Sequence, residues 1–328
     1  MNLDEKTVTQ IVEAVVQRLT EQPGVAPTPK TGESPSPAPR VRDGVFQDID
    51  EAINAAEDAQ LALVALPLAV RERIIQAVRD LALAHAEEYG RIEYEDTDLG
   101  SAEDNAKKIV AAAQVLGMED LEPEVFSGDQ GLTLIERTPM GVIASVNPVT
   151  NGGPTIVFNA IMMMAGGNTV VNNPHPKTAS ISARVIRDLN RTIVEAGGPA
   201  NCICCLEEPS VPSAQALMTH PKVRLIAVTG GHGVVAFANQ TGKRVIAGGP
   251  GNPPVVVDET ADLDRAARSI LEGAAFSNCM ACASEKEIFV VDSVADRLKE
   301  RLAAHGAFEL SREQGEALVR HIFKRSEE

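Results

Sequence analysis

Two cysteines sit three residues apart in Phe276-Ser277-Asn278-Cys279-Met280-Ala281-Cys282-Ala283-Ser284-Glu285-Lys286. A helix-like run over 263–273 precedes them and a strand-like run over 288–291 follows. Small residues at such a junction predict a loop whose cysteine is open on one side and backed by scaffold on the other. That arrangement suits nucleophilic catalysis, in which a thiolate must reach a carbonyl carbon. The Cys-x-x-Cys spacing also fits a dithiol redox pair, or half of a zinc site completed by Cys202, Cys204 or Cys205. Those three lie in a strand-like run, where a cysteine behaves as a small apolar core residue. The nucleophile reading is preferred, and no metal is expected.

Four other segments carry residue types that bind or polarise. Val228-Thr229-Gly230-Gly231-His232-Gly233 follows an apolar strand pattern and opens a helix. Glycines there let helix N-terminal N–H groups approach a pyrophosphate. The pattern is not G-x-G-x-x-G, so it reads equally as a plain loop. Val146-Asn147-Pro148-Val149-Thr150-Asn151-Gly152-Gly153 sits at the C-terminal end of a predicted strand, where open α/β sheets bind ligands. An asparagine amide at that place can donate to a developing oxyanion; a simple Asn-Gly turn is the plainer reading. Asn168-Thr169-Val170-Val171-Asn172-Asn173-Pro174-His175-Pro176 ends a strand in a Pro-locked polar turn. His175 there either caps the turn or contacts ribose or phosphate, and capping is the commoner role for a lone histidine. Ala247-Gly248-Gly249-Pro250-Gly251-Asn252-Pro253-Pro254 is a stiff loop that permits close approach to its backbone.

The elements that must position these segments follow from periodicity. Ile49, Ala52, Ile53, Ala56 and Ala59 mark one helix, and Ile74, Ile75, Val78, Leu81, Ala82 and His85 another. Strand patterns fall at 132–135, 142–146, 169–171, 202–205, 223–228 and 255–257, with helices at 155–165, 180–196 and 213–220 between them. Strands alternating with helices at this spacing predict an α/β fold with a doubly wound parallel sheet. The hydrophobic fraction of 44% supports a large core, built from aliphatic residues because aromatics are 3% and Trp is absent.

The N-terminus reads differently. Val8, Ile11, Val12, Val15, Val16 and Leu19 form one apolar stripe on a helix over 1–22 that Pro23-Gly24 stops. Residues 23–42 are rich in Pro, Ser and Gly and predict a disordered linker. An amphipathic helix on a leash must bury its stripe on a partner protein, on a second copy or back on the body. Its polar face is not basic, so a membrane surface is disfavoured. The formal net charge of −16 argues against nucleic acid, which demands clustered Lys and Arg. Five cysteines, no apolar signal-like start and no run of about 18 apolar residues point to a reducing, cytoplasmic setting with no membrane partner.

Taken in order, the segments at 128–136, 136–151, 168–176, 228–231, 248–257 and 282–286 resemble the aldehyde dehydrogenase superfamily. Within it they are most similar to the CoA-acylating acetaldehyde and propionaldehyde dehydrogenases of bacterial microcompartments (ethanolamine- and propanediol-utilisation type). The likeness runs from about residue 90 to the end. It implies a nucleophile three residues before Glu285-Lys286, at Cys282. It implies Asn151 as oxyanion donor, with Asn147 the alternative four residues upstream. It implies NAD held by Pro148, Asn173, His175, Thr229, Gly230, Gly231 and Gly249, and coenzyme A as co-substrate. Ala247 stands where hydrolytic relatives carry a water-activating glutamate. Water is a far weaker acid than a thiol and needs a strong base before it can attack, whereas a thiol, with a pKa of about 8.5, does not. Asn173 stands where those relatives carry a lysine on the adenine ribose, consistent with NAD and CoA sharing one site.

The resemblance makes 1–22 an encapsulation helix for a microcompartment shell protein, followed by a linker at 23–42. A cofactor-binding domain is expected at 43–246 and a partial α/β catalytic domain at 247–328. Relatives continue beyond residue 328, so the catalytic half is read as truncated, and a homo-oligomer is expected for a full-length chain. The expected reaction converts acetaldehyde or propionaldehyde, NAD and CoA to acyl-CoA and NADH in the microcompartment lumen. The alternatives are a non-catalytic cargo or cofactor-binding protein, and a cysteine-based acyl-phosphate or semialdehyde reductase.

Overall fold

The computed structural model describes residues 43–324; the helix and linker expected over 1–42 lie outside the described residues. The described residues begin with β1 (Val45–Phe46), α1 (Ile49–Val64), α2 (Leu68–Ala84), α3 (Ala86–Thr97) and α4 (Ala102–Ala113), then a hairpin of β2 (Glu124–Gly128) and β3 (Gly131–Ile135). There follow β4 (Val142–Val146), α5 (Gly152–Ala165), β5 (Thr169–Asn173), α6 (Ala179–Glu195), β6 (Ile203–Leu206), α7 (Val211–Thr219), β7 (Val223–Thr229), α8 (His232–Gln240) and β8 (Arg244–Gly248). The last described part comprises β9 (Pro254–Val257), α9 (Leu263–Ala275), β10 (Glu287–Val290), α10 (Asp292–Ala304) and α11 (Arg312–Lys324).

Six strands make one sheet in the order β1-β6-β5-β4-β7-β8, and every pairing in it is parallel. The three central strands, β4, β5 and β6, are buried along their whole length. This explains why they read as near-continuous apolar runs and not as alternating ones. Side chains still alternate between faces: Val170, Ile203 and Cys205 enter one core, while Val171, Cys204 and Leu206 enter the other. Helices α2, α5 and α6 cover the first face, and α7 and α8 the second. The order reverses between β4 and β7: β5 and β6 lie to one side of β4, β7 and β8 to the other. That reversal opens a crevice beyond the strand ends. A third core, with Val257, Ala267, Ile270, Val294 and Leu298, joins the parallel pair β9–β10 to α9 and α10.

The parallel sheet matches the fold expected from the sequence, with two differences in detail. The helix expected from Thr155 starts three residues earlier, because Pro154 is tolerated in a first turn whose N–H groups need no helical partner. The strand at 132–135 exists but stands outside the sheet. It pairs antiparallel with β2 across a short turn in which Gly131 takes φ 125°, and both strands are exposed throughout.

Helices α3 and α4 form an outer layer against α5, and Gly90 lets them close: a methyl group there would strike the backbone of Ala106 and Ala102. From this layer Glu93, 1% exposed, reaches the first turn of α5, where its Oε1 accepts the Gly152 N–H at 2.8 Å. Burial pushes the Glu93 carboxyl up to about 7, opposed by the Gly152 N–H, the Lys108 ammonium and the Gly153 N–H, and reinforced by Asp96. The folded protein therefore keeps a proton that the unfolded chain releases near the ordinary value of 4.5. This contribution to stability is full below that value and is lost as pH rises through about 7. Unfolding free energies from urea midpoints test this. The wild type, measured relative to Glu93→Gln, should lose on the order of 3 kcal/mol between pH values of about 4.5 and 7.5. A difference that stays flat across that interval would refute the assignment.

Candidate active site

Strands β4, β5, β7 and β8 run the same way, so the turns after Val146, Asn173, Thr229 and Gly248 emerge at one edge of the sheet. Together with the loop after α9 they enclose a cavity of about 880 Å³. All nine residues singled out from the sequence line it: Pro148, Asn151, Asn173, His175, Thr229, Gly230, Gly231, Gly249 and Cys282. Cys279 and Lys286 line it too. Cys202, Cys204 and Cys205 are buried on or beside β6, whereas Cys279 and Cys282 are exposed. Burial pushes the thiols of Cys202 and Cys205 up to about 12, which keeps them protonated and unreactive.

The two candidate amides differ in what already holds them. Asn147 is 3% exposed, and both ends of its side chain are engaged. Its Oδ1 accepts from Ser145 Oγ at 2.7 Å, and its Nδ2 donates to Asn172 Oδ1 at 3.2 Å. Asn159 Nδ2 donates to Ser145 Oγ at 2.9 Å and Asn172 Nδ2 to the Cys204 carbonyl at 3.0 Å, so a chain of buried amides runs inward from Asn147, which itself lines the cavity. Asn151 is the N-cap residue of α5 but makes no capping bond with its side chain. Among the described residues its Nδ2 meets Thr150 Oγ1 at 3.5 Å, too long to commit the donor. Asn151 Nδ2 therefore keeps both N–H groups for a ligand, whereas Asn147 has one of its two committed to Asn172.

The cysteine loop is held from three directions. Ser277, Asn278 and Cys279 take φ values of 53°, 53° and 61°, left-handed geometry that costs a non-glycine residue about 1–2 kcal/mol. Asp104 Oδ2 accepts the Ser277 N–H at 3.0 Å, and Asn278 Nδ2 donates to the Gly100 carbonyl at 2.9 Å. Partial burial opposes ionisation of Asp104, but the Ser277 N–H, Lys107 and Ser101 hold its carboxyl below the usual range. On the other side Gly251 abuts the Cys282 backbone so closely that any side chain there would collide with it. Lys286 ties the loop's end, donating its N–H to the Pro253 carbonyl at 3.1 Å and its Nζ to the Ser284 carbonyl at 3.0 Å.

The opposite wall suits an anionic ligand. Helix α8 opens at Gly231 with no side-chain cap, so its N-terminal N–H groups face the cavity unspent. Nothing lies within 4 Å of where a Cβ would stand on Gly231, Gly233 or Gly249, so a ligand can reach that backbone. These features fit a dinucleotide pyrophosphate. Asn173 is already spoken for: its Oδ1 accepts from Ser213 Oγ at 2.6 Å and its Nδ2 donates to the Ser210 carbonyl at 3.3 Å. His175 caps its turn, its Nδ1 accepting the Lys177 N–H at 3.2 Å, and burial lowers its pKa so that the neutral ring is favoured. Asn173 and His175 thus shape the wall before any ligand arrives.

Glu93, Asp104 and Lys108 were not singled out from the sequence. Lys108 Nζ donates to the Thr150 carbonyl at 3.2 Å and to Asn105 Oδ1 at 3.1 Å. It also interacts electrostatically with Cys282. Asp104 had a local signal, since Ser101 caps α4 by accepting the Asp104 N–H at 3.1 Å and the pair marks a helix start. Glu93 and Lys108 had none, because their partners lie 59 and 42 residues away along the chain.

Residues 29–309 match the aldehyde dehydrogenase family. An acetylating acetaldehyde dehydrogenase of Bilophila wadsworthia is 43% identical over 99% of this chain and 67% of its own length. A propionaldehyde dehydrogenase from the fucose-utilisation microcompartment of Clostridium phytofermentans superposes with a TM-score of 0.79 at 42% identity, over 83% of this chain and 63% of its own. A Rhodopseudomonas palustris propionaldehyde dehydrogenase, solved with bound CoA and an acylated cysteine, gives a TM-score of 0.80 at 40% identity, over 85% and 64%. The chain thus spans about two thirds of the length of the relatives it matches. Sequence, sheet topology and cavity agree, and the chain belongs to the aldehyde dehydrogenase family.

Proposed function

We propose that this chain carries the nucleophile and cofactor wall of a CoA-acylating aldehyde dehydrogenase acting on acetaldehyde or propionaldehyde. One observation carries the reading: a single cavity brings the exposed Cys282, the uncommitted Asn151 amide and the open N-terminus of α8 together. The names of the relatives give the direction of the chemistry, and the acylated cysteine of the R. palustris enzyme supports a thioester on the sulfur.

The chain's residues divide the work as follows. Cys282 Sγ adds to the aldehyde carbon to give a thiohemiacetal. Asn151 Nδ2 and the Cys282 N–H donate to the oxygen as charge develops on it, in a pocket where such donors need no reorientation. NAD, when bound with its pyrophosphate against the N-terminus of α8 and the glycines at 230, 231 and 249, supplies the hydride acceptor. Cys282 then carries the acyl group as a thioester until the CoA sulfur displaces it. Ala247, at the end of β8, offers no carboxylate to activate water, so the thioester is left to the better nucleophile. We place the boundary between the cofactor-binding and catalytic parts near residue 247. We assign 1–22 to a microcompartment shell partner through the linker at 23–42, and the lumen as the place of action, since the C. phytofermentans relative comes from a microcompartment. Among the described residues no helix is long and apolar enough to cross a membrane.

Three outcomes test this reading. NADH formation from acetaldehyde, NAD and CoA should vanish in Cys282→Ala and persist in Cys279→Ser; equal rates in wild type and Cys282→Ala would leave a cofactor-binding cargo protein as the better account. Asn151→Ala should lower kcat by roughly 100-fold or more, the scale of one lost oxyanion donor, with KM for NAD unchanged; an unaltered kcat would remove Asn151 from the mechanism. Deleting residues 1–22 should abolish co-purification with microcompartment shell protein, and unchanged co-purification would reject the targeting role.

A further inference from the structure

Two ionisable side chains that the proposed chemistry does not use flank Asn151 along the backbone. On its N-terminal side Lys108 Nζ holds the Thr150 carbonyl at 3.2 Å; on its C-terminal side Glu93 Oε1 holds the Gly152 N–H at 2.8 Å. Glu93 comes from α3 and Lys108 from α4, helices locked together through the close approach at Gly90. Asp104, one turn before Lys108 on the same helix, holds the Ser277 N–H at 3.0 Å at the start of the left-handed run leading to Cys282. One rigid pair of helices thus grips both the turn that presents the amide and the loop that presents the sulfur.

We propose that Glu93, Lys108 and Asp104 are positioning residues that set the distance between the Asn151 amide and the Cys282 sulfur. The geometry demands such a device. The Asn151 side chain has no anchor of its own, so its placement depends on its backbone, which Lys108 and Glu93 pin on either side. The residues before Cys282 sit in a conformation they would leave if released. Lys108 is partly buried and loses solvation there, which lowers its pKa, while the carboxylates of Glu93 and Asp104 oppose that shift.

This inference rests on the proposed reaction for its kinetic arm, and a second arm is independent of activity. In the full chain, Glu93→Ala and Lys108→Met should lower kcat for aldehyde oxidation by roughly 10- to 100-fold, the scale of about 1 Å of misplacement, with KM for NAD unchanged. Glu93→Gln, which keeps the acceptor, and Lys108→Arg, which keeps the donor, should recover most of the loss. Arg91→Met, on the exposed face of α3, should behave as wild type. The second arm is amide hydrogen exchange followed by mass spectrometry. Peptides covering 147–156 should exchange faster in Glu93→Ala and Lys108→Met, and peptides covering 276–284 faster in Asp104→Ala, with the sheet unchanged. If wild type shows no turnover, the proposed reaction fails while the exchange pattern still decides the positioning role. Unchanged exchange in those peptides, or faster exchange spread evenly over the whole body, overturns it.

Discussion

Everything in this protein depends on the common direction of the six sheet strands. A parallel sheet cannot be built from tight hairpins; each strand must be followed by a crossover that returns the chain to the starting edge. The turns leaving β4, β5, β7 and β8 are therefore forced onto one edge, and the reversal of strand order between β4 and β7 parts them into a crevice. The cavity is a consequence of how the sheet is wound. Its polar lining costs the core little, because the strands bury their apolar side chains on both faces and only their ends meet the ligand.

Within that crevice, residues of the same type perform different tasks according to burial. Asn147 and Asn151 are four positions apart in one turn, yet the first is a structural link in a chain of buried amides and the second has a free donor. The cysteines divide in the same way: three are sealed in or beside β6, where the thiol form is strongly favoured, and two open onto the cavity. A buried polar group must find partners inside the protein, which removes it from chemistry. A group left half exposed keeps its bonding capacity for a ligand.

The cysteine loop shows the complementary case. Three consecutive left-handed residues store strain that no local sequence feature relieves, and the relief comes from Asp104 and the Gly100 carbonyl in the outer helical layer. Helices α3 and α4 are remote from the cofactor wall, but they connect the two loops that must face each other for sulfur to meet carbonyl. The hairpin of β2 and β3, by contrast, gives all its strand residues to solvent and contributes nothing to the cavity.

The sequence by itself determined the alternation of strands and helices, the parallel sheet they imply, and the identity of the segments at the strand ends. Those rest on periodicity and on glycine, proline and asparagine chemistry, which act over a few residues and so leave a local trace. It also pointed to nine residues that one cavity brings together. Tertiary structure alone decided how far each asparagine amide is engaged, which cysteines are buried and which exposed, and that Glu93 and Lys108 meet the Asn151 turn across 59 and 42 residues. It likewise put the strand at 132–135 in an antiparallel hairpin outside the sheet. The physical reason is the same in each case. Burial and long-range hydrogen bonding are properties of what packs against a residue, and a linear pattern records what a residue is but not what comes to lie beside it.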